Sequence, residues 1–306
     1  MRVYVRWLLL AIVPVVLLLS LSCGGGGGAG EELLVVNQNI LHGITDEDPE
    51  AQPYDRFAER IELLAAALAE QPPDIIFLQE VFHGGEDYGD VRGTLLEALG
   101  EEYTTVFGDI LGAPIDEGGL GQLTITRFPV LSSENRHIGG VRSMHHVALQ
   151  TESGLIDVYV VHLEGTEPDR QLAIDEIETV LAFIEETRSG TGPVILAGDF
   201  NAVPDDPSIQ MVLEAGFVDA LAAGGDATCE SAGDPGCTSD TAPLGDNPEN
   251  LTSRRIDFIF VMSGEELSIE VKQAELFGNT PFPTDDGGLL WISDHIGVQA
   301  VVELKQ

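Results

Sequence analysis

Positive charge is what this chain lacks most. Of its 306 residues only 14 are lysine or arginine, against 52 aspartates and glutamates, a formal net charge of −38. The two lysines are Lys272 and Lys305. A surface of that sign repels nucleic acid and anionic lipid at long range, which argues against a broad DNA-binding track. Several chemical signatures are missing as well. There is no Gly-x-Ser-x-Gly nucleophile elbow, no P-loop and no dinucleotide fingerprint. There is no internal repeat, and the one long apolar run, Trp7–Leu19, is short for a membrane span.

Cysteine is scarce too, with three in all. Cys23 closes a signal-peptide layout, in which Arg2 and Arg6 precede the apolar run and Ser20-Leu21-Ser22 follows it. A small residue before a lone Cys resembles a bacterial lipobox, although Ser20 stands where such signals usually have Leu. The resemblance implies cleavage and diacylation at Cys23. The alternative is an ordinary cleaved signal. Loss of the two signal arginines leaves 14 − 2 = 12 basic residues against 52 acidic ones, a net of −40. Residues 24–30 then form a Gly-rich tether, since an unbroken glycine run holds neither helix nor strand. Residues 31–306 read as one large α/β domain, expected to be a monomer. Cys229 and Cys237 lie eight positions apart in a polar loop, Ala222–Thr252. In an exported chain that spacing predicts a disulfide, while two thiolates without nearby histidine make no zinc site.

Strand-like and helix-like segments alternate along the domain. Strands are expected at Leu33–Asn39, Ile75–Leu78, Thr104–Phe107, Leu120–Thr126, Val147–Thr151, Leu155–Leu163, Pro193–Ala197, Ile256–Met262, Leu267–Val271 and Ile296–Val302. Helices are expected at Arg56–Glu70, Val91–Leu99 and Asp169–Arg188. A further short one starts with Asp206 as N-cap and Pro207 at its first position. Around Leu120–Leu163 several strands follow one another without a helix. That pattern predicts two sheets packed face to face with helices outside, not one doubly wound sheet.

Polar residues gather where buried strands stop. Asn39 ends one strand, Glu80 follows another, His162 ends a third, and Asp199 and Asn201 follow the run Val194–Ala197. Side chains i and i+2 of a strand share a face, so Asp199 and Asn201 are expected to emerge together. Asp257 sits in Ile256-Asp257-Phe258-Ile259-Phe260, where burial demands a partner, and a histidine is the obvious one. Asp294-His295 precedes the last strand. Glu80, Asp294 and Asn39 offer hard oxygens suited to Mg²⁺, Mn²⁺ or Ca²⁺, and two histidines with an aspartate can transfer protons. His145 and His146 read as an exposed pair flanking a strand, with a substrate role as the alternative.

Seven segments in order resemble the endonuclease/exonuclease/phosphatase (deoxyribonuclease-I-like) superfamily. They are Asn39-Ile40-Leu41-His42-Gly43, Pro73–Glu80, Thr126–Val130, Val161-His162-Leu163, Gly198-Asp199-Phe200-Asn201, Arg255–Phe260 and Ser293-Asp294-His295. The resemblance implies a four-layer α/β sandwich, two packed mixed sheets flanked by helices. It also implies a divalent cation, usually Mg²⁺, at Asn39, Glu80 and Asp294. Asp199 would orient or deprotonate the attacking water, and Asn201 would bind the phosphoryl group or that water. His295 would hydrogen-bond a phosphate oxygen or act as base, with Asp257 orienting it. His162 would stabilise the transition state or protonate the leaving group.

Val161 stands where the family often has Thr, and the Asn-x-Tyr of some nucleases is absent. His162, and Arg170-Gln171 beyond it, resemble instead the deoxyribonuclease, sphingomyelinase and inositol-phosphatase branches. The expected activity is hydrolysis of a phosphoric ester by in-line attack of water. Few cations favour a small or lipid-head-group phosphoester, with arginines such as Arg127, Arg136, Arg142, Arg170, Arg254 and Arg255 available to line a small pocket. The alternatives are an extracellular endonuclease and a non-catalytic binding lipoprotein on the same fold. The expected location is the cell envelope, with lipid on Cys23, or else secretion.

Overall fold

The computed structural model describes residues 30–41, 56–83, 90–112, 119–164, 170–239, 248–284 and 287–306. Cys23, residues 24–29 of the tether and His42 lie outside them, as does the side chain of Arg170. The first half of the chain runs β1 (Glu31–Asn39), α1 (Phe57–Glu70), β2 (Ile75–His83), α2 (Val91–Leu99), β3 (Thr104–Asp109) and β4 (Gly119–Thr126). Then come β5 (Val130–Gly139), β6 (Arg142–Gln150), β7 (Leu155–His162), α3 (Arg170–Thr187), β8 (Val194–Asp199) and α4 (Pro207–Glu214). The rest is β9 (Val218–Asp219), α5 (Ala220–Gly224), β10 (Asp257–Met262), β11 (Ser268–Phe277), β12 (Phe282–Pro283), β13 (Leu289–Leu290) and β14 (Gly297–Lys305). Among the described residues no helix is long and apolar enough to cross a membrane.

Two six-stranded mixed sheets result, ordered β11-β14-β1-β2-β4-β3 and β5-β6-β7-β8-β10-β9. Each holds one parallel pair near its middle, β1 with β2 and β7 with β8. A helix, α1 or α3, makes the crossover that a parallel pair requires. The expected sandwich is therefore what forms.

Strand alternation builds its layers. In β1, Leu33 and Val35 enter the core between the sheets, while Val36 packs with Ile61, Leu64 and Leu68 of α1. In β8, Ile195 and Ala197 face the other sheet, while Val194 and Leu196 pack with Ile177, Val180 and Phe183 of α3. Strands apolar on both faces belong at the centre of such a sandwich, since each face meets another layer.

Three local expectations are corrected. Val130–Gly139 is a strand that the sequence pattern hides, because it is the edge of its sheet and much of it faces water. Its partner β6 starts at Arg142, so His145 and His146 lie buried inside a strand instead of exposed beside one. Asp206 precedes Pro207 as expected, but its carboxylate accepts from Val203 N at 2.8 Å and makes no side-chain cap of α4.

Candidate active site

The carboxyl ends of the two parallel pairs meet. Asn39 lies opposite Gln79 in one sheet and His162 opposite Asp199 in the other. Asn39, His162, Asp199 and Asp257 fall on the same alternation as Val35, Val160, Ala197 and Ile259, which all face the space between the sheets. The polar cluster therefore continues the inter-sheet core at the point where apolar side chains stop.

The backbone is bent there. Three described non-glycine residues have positive φ, namely Leu41 (51°), Glu80 (59°) and Asn201 (47°), and all three are at the site. Such conformations cost about 1–3 kcal/mol each and persist only where the surroundings impose them. At Glu80 the reason is visible. Alternation from Phe77 and Gln79 would send Glu80 to the helix side, but a bulge between Leu78 and Val81 returns its carboxylate to Asn39.

Asn201 also departs from expectation. Strand β8 ends at Asp199, and Asn201 lies beyond it in a left-handed turn. Its backbone N–H donates to Asp199 Oδ1 at 2.8 Å, and its Nδ2 donates to the Leu163 carbonyl at 3.0 Å. The turn thus stitches β8 to β7. Phe200 between them packs edge-on against Phe258 and Phe260, with centroids 5.5 and 5.2 Å away. Each such pair adds about 0.5–1.5 kcal/mol, which anchors the turn from behind.

Three groups converge on Asp199 Oδ2. Asn39 Nδ2 donates to it at 3.0 Å, His162 Nε2 lies at 3.5 Å, and His295 Nε2 lies at 3.8 Å. The other ring nitrogen of His295 bonds Asp257 at 2.9 and 3.1 Å, so the buried aspartate has its histidine. Burial alone would lower the His295 pKa, but the carboxylates of Asp257, Asp199 and Asp294 hold it well above the ordinary value. Burial, helped by the Asp257 charge, pushes Asp199 up to about 7, against the pull of His295, Asn201 and Asn39. Asp199 therefore takes a proton more readily than an ordinary carboxylate, and the acids around His295 favour its charged, donating form.

Arg142 approaches His162 from the far side, with Nη1 3.5 Å from Nδ1. A guanidinium only donates, so Nδ1 is the acceptor and the ring proton sits on Nε2, facing Asp199. Arg142 and His162 line a cleft of about 130 Å³ with Glu80, Ile110, Leu120 and Gly121. Of the expected pocket arginines whose side chains are described, Arg142 lines this cleft, and its Nε also pairs with Glu164 at 3.0 Å. Arg127 pairs with Asp74, Arg136 with Glu134 and Glu186, and Arg255 with Asp219.

Asn39 Nδ2 bridges Glu80 Oε1, at 3.1 Å, and Asp199 Oδ2, while Asn39 Oδ1 accepts from Leu41 N at 3.0 Å. An amide donor thus stands between two carboxylates, the task a cation would perform there. Asn39 offers its oxygen to an ion only if the amide turns over.

Behind this cluster lies Arg60, a residue the sequence reading overlooked. It is 4% exposed and donates to the carbonyls of Ile40, Leu41 and Ile292. Burial pushes its pKa down to about 10, and the charges of Asp294 and Glu80 oppose that shift. An arginine on the apolar face of α1, beside Phe57, Ile61 and Leu64, was the available signal. Asp199, Asp257 and His295 form a second candidate metal group, with ligand atoms within 4.8 Å of one another. His295 and Asp257 already hydrogen-bond each other within it.

His145 and His146 take no part. His145 Nε2 bonds Thr124 Oγ1 at 2.6 Å, and His146 Nε2 bonds Asp157 Oδ1 at 2.6 Å, both under β-sheet.

Acids, histidines and an amide thus meet at the joined ends of two mixed sheets, with a candidate metal site among them. The chain belongs to the Endonuclease/Exonuclease/phosphatase family, whose model matches residues 36–295. It is 27% identical over 269 residues to a putative neutral sphingomyelinase of Drosophila melanogaster, covering 80% of this chain and 56% of that protein. The chain thus spans about half the length of that relative.

Among solved structures, a Bacteroides thetaiotaomicron mannosyl-6-phosphatase is 19% identical with a TM-score of 0.67, over 90% of this chain and 100% of that one. TDP2 from D. rerio, complexed with a single-strand DNA product, is 22% identical with a TM-score of 0.65, over 89% and 98%. At those identities the likeness is one of fold.

Proposed function

We propose that this protein is a divalent-metal-dependent phosphoric-ester hydrolase acting on a small or lipid-head-group phosphoester. The observation that carries the reading is the convergence of Asn39, His162 and His295 on one buried Asp199 oxygen. Glu80, Asp294 and Asn39 would hold the ion, with Mg²⁺ favoured and Mn²⁺ or Ca²⁺ as alternatives. Bound there, it supplies charge stabilisation for the phosphoryl oxygens.

The protein's own residues do the rest. Asp199 orients water for in-line attack and takes its proton. The imidazolium of His295, fixed by Asp257, donates to a phosphoryl oxygen. His162 Nε2–H faces the same space and serves the leaving group. Asn201 holds the turn that aims Asp199 and borders the phosphoryl position. The strong negative charge of the chain favours a small substrate, which Arg142 in the cleft could meet, over a polynucleotide. Export with a lipid on Cys23 would place the enzyme at a cell envelope.

A side-by-side screen tests this with Mg²⁺ on simple phosphomonoesters, sphingomyelin, phosphoinositides and plasmid DNA. We expect turnover on one of the first three, lost on chelation and in Asp199→Ala and His295→Ala. Activity unchanged in both variants refutes the site, and preference for plasmid DNA reinstates the nuclease. A family member with neither metal affinity nor turnover would be a binding protein.

A further inference from the structure

Asp257 opens β10 in one sheet, whereas His295 lies two residues before β14 in the other. No strand ladder joins those two strands, so something else must hold the Asp257–His295 pair in register. The segment 237–239 does so. Thr238 is buried, and its hydroxyl oxygen accepts from the backbone N–H of Ile256 at 3.0 Å and of Asp257 at 3.2 Å. Its carbonyl accepts from Ile296 N at 2.7 Å, on the far side of His295. Ser239 forms β-bridges to Arg254 and to His295, and its Oγ lies 3.4 Å from His295 Nε2. Two residues thereby grip both partners of the dyad.

The grip is itself anchored. Cys237 directly precedes Thr238, is fully buried and is disulfide-bonded to Cys229. Thr252 Oγ1 donates to the Cys237 carbonyl at 2.9 Å. The disulfide closes a short loop, which restricts where residue 238 can lie.

We propose that Thr238 and Ser239 are positioning residues, a clip locked by the Cys229–Cys237 disulfide that spans the two sheets and holds Asp257 and His295 in catalytic alignment. This rests on the dyad being part of the hydrolase site. Reacting groups displaced by about 1 Å lose up to about a hundredfold in rate. Loss of the Thr238 contacts therefore acts on turnover and leaves substrate affinity alone, since its hydroxyl bonds the backbone at Ile256 and Asp257 and not His295 Nε2.

The experiment compares full-length wild type, Thr238→Val, Thr238→Ser and Cys229→Ser/Cys237→Ser. Each is assayed with Mg²⁺ on the best phosphoester from the screen, and the His295 Nδ1–H proton resonance is recorded at fixed pH. Thr238→Val removes both acceptor contacts at nearly constant shape. It should lower kcat about tenfold or more with KM unchanged, and weaken the His295 resonance. Thr238→Ser should restore both, and the double serine variant should reproduce the kcat defect with Thr238 intact.

An unchanged resonance and kcat in folded Thr238→Val overturns the clip, as does a defect that Thr238→Ser does not rescue. An unchanged kcat in the double serine variant overturns the lock. If wild type turns over no phosphoester, the catalytic reading fails instead, and the resonance alone then decides whether the clip holds the dyad.

Discussion

Glu176 on α3 is fully buried, accepts from Glu164 N through Oε2 at 2.9 Å, and has no partner for Oε1 among the described residues. Burial pushes its pKa from 4.5 up to about 7, against the pull of the Glu164 N–H and Arg142. The folded state therefore holds this proton more tightly than the unfolded chain. The stability it contributes is fully present below pH 4.5 and is lost as pH rises through 7. A shift of that size, at roughly 1.4 kcal/mol per unit, corresponds to about 3 kcal/mol.

Glu176→Gln keeps an oxygen for Glu164 N and removes the titration. The stability of Glu176→Gln minus that of wild type should then rise by about 3 kcal/mol between pH 4 and pH 8.5. Denaturant unfolding at a series of pH values measures it, and subtraction cancels the many other acids. A difference that stays flat across the range refutes the argument and means that Glu176 finds a partner or water when ionised.

His145 gives the opposite slope. Burial, with His146 beside it, pushes its pKa down to about 3, so its stabilising neutral form is secure above pH 6.5 and lost as pH falls towards 3. His145→Gln should flatten the acid limb of the stability curve by up to about 1.4 kcal/mol per pH unit, and an unchanged limb contradicts the burial. Gly198 has φ 153°, and a β-carbon there would lie 2.0 Å from the Val161 carbonyl oxygen. Gly198→Ala should cost roughly 3 kcal/mol in urea unfolding and lower kcat by moving Asp199. Wild-type stability would show that β7 and β8 separate without penalty.

Much of the architecture was legible because central strands must be apolar on both faces. Ile75–Leu78 and Val194–Ala197 could be nothing else once helices and turn residues bounded them. The edge strand β5 was not legible, since Ser132, Ser133, Glu134 and Asn135 follow no apolar alternation. The buried pair His145 and His146 looked like surface for a related reason. Histidine is polar in sequence, and its burial depends on Thr124 and Asp157, which other strands supply.

The sequence by itself determined the chemistry on offer. It supplied Asn39, Glu80, His162, Asp199, Asp257, Asp294 and His295 at strand ends, a cysteine pair in one loop, and 14 basic residues against 52 acidic ones. Those follow from residue type and local period, which are properties of a short stretch of chain. Only the tertiary structure decided which of these residues meet. It placed the amide of Asn39 between Glu80 and Asp199, hid Arg60 behind the acids, and turned Asn201 into the stitch between β7 and β8. It also set Arg142 against His162 and Thr238 across two sheets. Each of those contacts joins residues whose separation is fixed by sheet packing and bulges, and positive-φ strain is tolerated only where the whole fold surrounds it.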